Sequence, residues 1–158
     1  VWDTRKTIPG LRALEKAAVR AGGGANHRGN LSDWVMLKDN HLAVLDVATA
    51  VAQAHQVWPG RTIHVECDSV DRAVAAAEAG ADALLLDNLG PEDAAKAVAA
   101  AREALAGRRC LIEASGGITL ETVAAYATTG VDAVSAGALT DSAKALDLGL
   151  DVEMEGPA

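Results

Sequence analysis

Phenylalanine is absent from this sequence, and aromatic residues make up only 3% of its 158 residues. Half of the sequence is nevertheless hydrophobic, and 35 residues are alanine, so the apolar material consists mainly of small side chains. This composition argues against intrinsic disorder and suits close packing of helices on a sheet. The length predicts a single domain, residues 1–158, with a core of ordinary size.

Cysteine is also scarce, because the sequence contains only Cys67 and Cys110. Two cysteines do not make a disulfide framework, and no CxxC or Cys/His spacing indicates a zinc site. This usage favours a reducing setting, and we expect a cytoplasmic location. We also expect Cys67 to be a core residue rather than a nucleophile, since no base can be assigned beside it.

Long hydrophobic runs and a cationic, apolar leader are both missing. No stretch of about 18 apolar residues occurs, so the sequence predicts neither a membrane span nor a signal peptide, and we expect no membrane partner. The first residue is Val, and a dense polar motif begins at residue 3. This opening favours a piece of a longer protein whose upstream part lies elsewhere.

Basic residues are the minority, with 14 Lys and Arg against 22 Asp and Glu and a net charge of −8. Residues 1–40 carry a net charge of +3, whereas the remaining 118 residues carry −11. We therefore expect no nucleic-acid partner, but a small anion can bind at one local site. Within the cationic segment, Arg12, Lys16 and Arg20 fall on a predicted helix, where we expect them to be solvated.

Short apolar runs alternate with longer alanine-rich stretches. The runs predict strands at 1–4, 34–37, 62–66, 83–87, 110–114 and 133–135. The stretches between them predict helices at 11–21, 42–57, 70–79, 91–106 and 120–128. This alternation indicates an α/β fold with a parallel sheet covered on both faces.

A weak internal repeat favours a barrel over an open, doubly wound sheet. Residues 77–86 are similar to residues 127–136. In each copy a helix ends at a glycine, Gly80 or Gly130, and an aspartate precedes the next strand.

Polar residues or glycines follow every predicted strand. In a barrel of alternating strands and helices, the carboxyl ends of all strands meet at one face, where active sites are built. The candidate site residues at these ends, together with two from the loop before the second strand, are Thr4, Arg5, Lys6, His27, Arg28, Lys38, Glu66, Asp87, Ser115, Gly116, Gly117, Ser135, Ala136 and Gly137.

Three kinds of chemistry are present among these residues. The cations suit carboxylates or phosphates, with Arg acting as a planar fork and Lys as a point charge. The carboxylates Glu66 and Asp87, on adjacent strands, can share a Mg²⁺ ion directly or through its waters. The turns at 115–117 and 135–137 offer backbone N–H groups to a phosphate, and we expect the first turn to open a helix.

Each signal also has a structural explanation. A Lys or Arg after a strand is commonly a solvated loop charge, and the glycines can simply turn the chain. Glu66 and Asp87 can pair with Lys38 and Arg5 as a structural network.

The four histidines are open to similar structural readings. His27 can be an exposed surface residue, and His41 can cap the helix that it begins. We interpret His55 and His64 as structural.

The motifs together resemble those of the quinolinate phosphoribosyltransferase family, the carboxylating nicotinate-nucleotide pyrophosphorylases. The most specific are DTRKTIPG at 3–10, NHR at 26–28 and LKDNH at 37–41. Further matches are VE at 65–66, LDN at 86–88, EASGGI at 113–118, GVD at 130–132 and SAGALT at 135–140. They occur in order over essentially the whole chain.

The resemblance implies an enzyme that converts quinolinate and 5-phosphoribosyl 1-pyrophosphate to nicotinate mononucleotide, pyrophosphate and CO₂, with Mg²⁺, in de novo NAD biosynthesis. It implies an incomplete (open) α/β barrel of parallel strands. In the family this barrel is joined to an N-terminal α/β sandwich domain that the sequence lacks. It also implies a homo-oligomer, a dimer or larger, and a piece that can be inactive without that domain.

The resemblance also implies roles for the candidate residues. The catalytic residues would be Lys6, near the ring and the pyrophosphate, with Glu66 and Asp87, which would engage the ribose hydroxyls and Mg²⁺. The quinolinate carboxylates would be held by Arg5, His27, Arg28 and Lys38. The turns 115–117 and 135–137 would receive the 5-phosphate, and Thr4 would complete the substrate-binding set.

The chain departs from the family pattern at 65–68, where it reads VECD and relatives commonly read EVE or similar, and at the residue after the GALT motif. Relatives usually place a basic residue directly after the GALT motif, where this chain has Asp141, and a carboxylate there disfavours a phosphate. Two alternatives stay open: a related phosphoribosyltransferase for another aromatic acid, or a non-catalytic piece that folds or assembles with a missing half.

Overall fold

The computed structural model describes residues 1–152, so residues 153–158 of the predicted domain lie outside the described part. At its centre is a sheet of five parallel strands whose spatial order follows their order in the chain. The strands are β1 (Val35–Leu37), β2 (Ile63–Cys67), β3 (Ala83–Asp87), β4 (Leu111–Ser115) and β5 (Ala133–Val134). Their ends differ from the predicted ends by no more than one residue.

One helix precedes the first strand, and the others lie in the connections between strands, as a parallel sheet requires. They are α1 (Arg12–Ala21), α2 (Asp39–Leu42), α3 (Val47–Val57), α4 (Val70–Glu78), α5 (Pro91–Leu105) and α6 (Val123–Ala127), and a short 3-10 turn covers Gly137–Leu139. Over residues 1–152, none of these helices is long and apolar enough to span a bilayer.

Three predicted elements differ from the structure. The predicted helix 42–57 is wrong as one element, because Asp46 accepts a hydrogen bond from the Thr49 amide (2.9 Å) and caps a separate helix, α3. The predicted helix 120–128 shortens to α6, since the preceding residues form turns. The predicted strand 1–4 is also wrong: only Trp2 pairs, through single parallel bridges to Ser135 and Ala25.

Successive strand residues point to opposite sides of the sheet, and one side lies under the helices. We call this side the outer face; its buried residues are Leu37, Ile63, Val65, Cys67, Leu84, Leu86, Ile112, Ala114 and Val134. The helix residues against it are largely alanines without exposed surface, such as Ala76 on α4 and Ala97 on α5. Small side chains therefore bring the helices close to the sheet.

The internal repeat has a structural cause. Asp82 accepts a hydrogen bond from the amide of Ile63 (2.8 Å), and Asp132 accepts the equivalent bond from the amide of Ile112 (2.7 Å). Each aspartate satisfies an N–H group at or next to the start of the neighbouring strand. The repeated glycine before it has a positive φ, +92° at Gly80, a conformation that glycine adopts without strain.

Candidate active site

The inner face of the sheet consists of the residues that alternate with the outer face. Toward the carboxyl ends they are Met36 and Lys38, His64 and Glu66, Leu85 and Asp87, Glu113 and Ser115, and Ser135 just beyond β5; nearer the amino ends they are Ala83, Leu111 and Ala133. The parallel register places Glu66 beside Leu85, and Asp87 beside Ser115. Polar side chains at the carboxyl ends of neighbouring strands therefore point into one space.

That space is a cavity of about 150 Å³. Ten of the fourteen candidate residues line it: Thr4, Arg5, Lys6, His27, Arg28, Lys38, Glu66, Asp87, Ser115 and Ser135. Met36 and Leu85 complete the lining, and neither was among the candidates, although strand alternation places both on the inner face. The other four, Gly116, Gly117, Ala136 and Gly137, do not line it.

Two arginines contribute to the positive charge of the cavity, together with Lys6 and Lys38. Within residues 1–152, neither Arg5 nor Arg28 forms an ion pair with a carboxylate. Arg28 is only 8% exposed, and burial, followed by the charge of Arg5, lowers the pKa of its guanidinium. A buried cation beside a like charge is costly unless an anion joins it, so this part of the cavity favours a negatively charged ligand.

The carboxylates of the cavity are held in different ways. Glu66 forms a partly buried ion pair with Lys38, as the structural alternative predicted. Asp87 does not pair with Arg5; it accepts a hydrogen bond from the side-chain amide of Asn88 (2.7 Å). The charge of Lys38 is therefore balanced by Glu66, whereas within residues 1–152 no carboxylate pairs with Arg5 or Arg28.

His27 is buried rather than exposed, which corrects the surface interpretation. Its Nε2 lies 3.2 Å from Oε2 of Glu113, a residue of β4 with no exposed surface. Sequence reasoning missed Glu113, although a carboxylate in an otherwise apolar strand, two residues before Ser115, was a usable signal. The pair fixes the imidazole at the wall of the cavity.

The other histidines are structural, as predicted. His64 stacks on Trp34 with ring centroids 4.6 Å apart, and burial is the main cause that lowers its pKa to about 4. His41 caps α2 by accepting a hydrogen bond from the Lys38 amide (3.0 Å). His55 lies 3.2 Å from the carbonyl of Gly80.

Cys67 is a core residue, as expected, because its side chain lies on the outer face under the helices. Burial raises the pKa of its thiol to about 12. A buried thiol with a raised pKa is not activated for nucleophilic attack, which agrees with a core role.

The turn after β4 does not open a helix, contrary to the prediction, because α6 begins only at Val123. Gly116 has a φ of +95°, and a Cβ there would come within 2.3 Å of the Asn88 side chain. Glycine is therefore required for close contact between the turns after β3 and β4. After β5, the carboxylate of Asp141 lies against Gly137: a Cβ atom added to this glycine would be 2.8 Å from Oδ2 of Asp141.

The basic residues of α1 are not simply solvated, which corrects another expectation. Lys16 is 7% exposed and pairs with Asp3, with Nζ 2.5 Å from Oδ1. Arg12 donates to the carbonyl of Arg5 (3.1 Å), and Arg20 donates to Asn26. The helix therefore contacts the backbone that carries the candidate cations.

Glu66 and Asp87 are the only acidic residues in the lining, and within residues 1–152 no cluster of three or more acidic, His or Cys residues could bind a metal. Mg²⁺ is commonly bound by one or two carboxylates, with waters and substrate phosphates completing the shell. One oxygen of each side chain is engaged, by Lys38 or by Asn88, which leaves the second oxygen available. The pair therefore fits Mg²⁺ that arrives with a phosphorylated substrate.

Comparison with known proteins supports the resemblance of the motifs. The sequence pattern of the family described as quinolinate phosphoribosyl transferase, C-terminal domain, matches residues 1–151. A probable carboxylating nicotinate-nucleotide pyrophosphorylase of Archaeoglobus fulgidus is 48% identical, over 96% of this chain and 58% of the relative. The Mycobacterium leprae nicotinate-nucleotide pyrophosphorylase is 44% identical, over 96% and 53%.

The fold agrees with these similarities. The crystal structure of nicotinate-nucleotide pyrophosphorylase from Ehrlichia chaffeensis superposes with a TM-score of 0.87 at 36% identity, covering 96% of this chain and 54% of that one. The expected unclosed α/β barrel of parallel strands is thereby confirmed. The chain spans about half the length of the relatives that it matches. It belongs to the quinolinate phosphoribosyltransferase family.

Proposed function

We propose that this chain carries the site at which quinolinate and 5-phosphoribosyl 1-pyrophosphate are converted to nicotinate mononucleotide, pyrophosphate and CO₂, the phosphoribosyl transfer of de novo NAD biosynthesis. The observation that carries the proposal is the cavity in which Arg5 and Arg28, without carboxylate partners in the described residues, lie beside Glu66 and Asp87. Cations suit a dicarboxylate, and carboxylates suit a cationic ribosyl centre. The names of the relatives support the same reaction.

The two carboxylates of quinolinate bind at the cationic wall. Arg5 and Arg28 offer planar donor forks for bidentate hydrogen bonds. His27 and Lys38 line the same cavity and would contribute further donors. Bringing two like-charged substrates together is costly, and this wall offsets the cost.

Glu66 and Asp87 face the ribose and its reacting carbon. As pyrophosphate leaves, positive charge develops on that carbon, and nearby fixed carboxylates stabilise it. The same two side chains would hold Mg²⁺, which when bound neutralises the charge of the departing pyrophosphate. Lys6, an exposed residue of the cavity lining, would contact the ring and the pyrophosphate.

The 5-phosphate binds at the turns after β4 and β5. Ser115 and Ser135 line the cavity, and the hydroxyl of Ser135 is buried without a hydrogen-bond partner in the part of the chain described. A buried hydroxyl without a partner is costly, so a ligand acceptor there would satisfy it. After transfer, CO₂ departs and the cationic wall stabilises the negative charge left on the ring until a proton replaces it.

We further propose a cytoplasmic homo-oligomer, a dimer or larger, in which this barrel acts together with the N-terminal domain of the family. The matched family pattern is that of a C-terminal domain, and the relatives are about twice as long. Scarce cysteine supports the reducing location.

The test is turnover by the intact protein with quinolinate, 5-phosphoribosyl 1-pyrophosphate and Mg²⁺, followed by chromatography of the products. We expect nicotinate mononucleotide and CO₂ in equal amounts. Absence of both products refutes the proposal.

Calorimetry with each substrate separates the alternatives that the sequence left open. Binding of 5-phosphoribosyl 1-pyrophosphate without quinolinate would identify a relative for another aromatic acid. Binding of neither would indicate a non-catalytic chain.

A further inference from the structure

Two short segments of the site are attached to the sheet by very few backbone bonds. Segment 1–7 carries Thr4, Arg5 and Lys6, and segment 25–28 carries His27 and Arg28, so together they hold five of the twelve residues that line the cavity. Neither is a strand; each is joined through single-residue bridges at Trp2. By contrast, Glu66, Asp87 and Ser115 stand on strands paired over several residues.

A buried carboxylate lies between these two segments. Asp3, with no exposed surface, accepts hydrogen bonds from the backbone amide of His27 (2.8 Å) and the side-chain amide of Asn26 (2.6 Å). Lys16 of α1 donates to Asp3 (2.5 Å) and also to the carbonyl of His27 (3.0 Å). One carboxylate and one ammonium group thus bind both segments to the helix behind them.

Stability alone is a poor explanation for this arrangement. Removing two charges from water costs about as much as their attraction returns, and apolar residues of similar volume are often equally stabilising. An apolar pair, however, could not bind the amide and the carbonyl of His27. The pair therefore supplies directional bonds that replace the missing strand ladder.

We propose that Asp3 and Lys16 are positioning residues that hold His27 and Arg28 in register with Arg5, and so shape the quinolinate half of the site. The proposal rests on the function proposed above. It predicts a selective effect, because Glu66, Asp87 and Ser115, which face the phosphoribosyl substrate, stand on β2, β3 and β4. On that side of the site, only Lys6 and Ser135 belong to segment 1–7 or adjoin it.

The kinetic test uses Asp3→Asn, the double variant Asp3→Asn/Lys16→Met and the control Asp132→Asn in the intact protein. Asp132 also accepts hydrogen bonds from a backbone amide and from an arginine, but it lies near the amino ends of the strands. We expect Asp3→Asn to raise the KM for quinolinate about tenfold, the loss of one charged hydrogen bond, and the KM for 5-phosphoribosyl 1-pyrophosphate less than about twofold. Asp132→Asn should lower the Tm and change neither KM.

The double variant separates positioning from stability. Removing both charges should restore the Tm while the KM for quinolinate stays about tenfold raised, because Met cannot donate to the carbonyl of His27. If that KM recovers together with the Tm, or if both KM values rise equally, the network is merely structural and the proposal is wrong. Should Asp3→Asn not fold, Asn26→Ala, which removes one donor to Asp3, is read by the same criteria.

Hydrogen exchange gives a readout that does not depend on the reaction. The amide of His27 donates to Asp3, so its exchange should accelerate about tenfold in Asp3→Asn and stay unchanged in Asp132→Asn. Unchanged exchange in Asp3→Asn overturns the proposal even if the protein turns over quinolinate. The amide of His27 could exchange faster in Asp3→Asn while the wild-type protein binds no quinolinate. That result would refute the proposed function and leave the positioning of the segment established.

Discussion

On the outer face of the sheet, Val65, Leu84 and Ile112 occupy neighbouring strands, and none has exposed surface. One residue further along the same strands, the inner face carries Glu66, Leu85 and Glu113. The two faces share their backbone and their register, yet at these three neighbouring positions the outer face is wholly apolar and the inner face carries two glutamates and one leucine. A parallel sheet covered on both sides does not require this asymmetry.

The inner face is also the energetically costly one. Within the described residues, its interior leaves polar atoms buried without a partner, namely Trp34 Nε1, His64 Nδ1, Glu113 Oε1 and Ser135 Oγ. Each such atom costs about 1–3 kcal/mol. The comparison teaches that apolar burial on the outer face offsets the free energy that the polar cavity of the inner face costs. Four substitutions test this division between the two faces.

The largest effect should come from the outer face, through Leu84→Ala. Leu84 is fully buried in the core cluster, so the change removes buried carbon atoms and leaves a cavity that costs between about 3 and 5 kcal/mol of unfolding free energy. Urea denaturation followed by circular dichroism measures this loss. The Kd for quinolinate should not change; a substrate effect as large as the stability effect would contradict the division.

The second effect concerns the pH dependence of stability and the inner face. His64 has a pKa of about 4 in the folded protein against an ordinary value of 6.5, first because it is buried and then because of His27 and Arg28. Below pH 6.5 the unfolded chain takes up a proton at this residue while the folded chain does not. The unfolding free energy therefore falls by roughly 3 kcal/mol as the pH decreases from 6.5 to 4.

Denaturation at several pH values in wild type and in His64→Leu measures this contribution. In the variant, the unfolding free energy should no longer show the part of its pH dependence between pH 6.5 and 4 that comes from His64. If both proteins show the same slope, His64 does not titrate as the structure indicates.

Arg28→Ala should separate binding from stability on the inner face. Because Arg28 is buried without a carboxylate partner in the described residues, its removal should weaken quinolinate binding about 100-fold and leave the unfolding free energy unchanged or higher. Calorimetry measures the Kd. Arg109→Ala, at an exposed arginine before β4, is the matched control and should leave the Kd unchanged.

The smallest effect is expected at the loop after β5. Asp141 places a carboxylate against the turn at Gly137, where its charge opposes a phosphate by about 1 kcal/mol in a solvated setting. Asp141→Asn should therefore tighten binding of 5-phosphoribosyl 1-pyrophosphate about fivefold, without an effect on quinolinate. Weaker binding in this variant would show that the carboxylate assists the phosphate half of the site.

Much of the fold could be read along the chain. The apolar runs predicted the five strands to within one residue at each end, and the strand-end rule selected ten residues that share one cavity. The prediction of a strand at 1–4 was too long, because the apolar pair at residues 1–2 does not reveal that only Trp2 finds pairing partners. The predicted helix 42–57 also joined the end of α2 to α3, although Asp46, three residues before Thr49, is a signal of a helix cap.

The sequence by itself determined the positions of the five strands, the parallel α/β fold class and the family, since these depend on local periodicity and on motifs. Only the tertiary structure decided which charges are free. Lys16 pairs with Asp3, 13 residues away, and His27 contacts Glu113 across 86 residues. The reason is physical: periodicity shows which side of an element a residue occupies, but the energy of a charge depends on burial and on partners that distant segments bring to it.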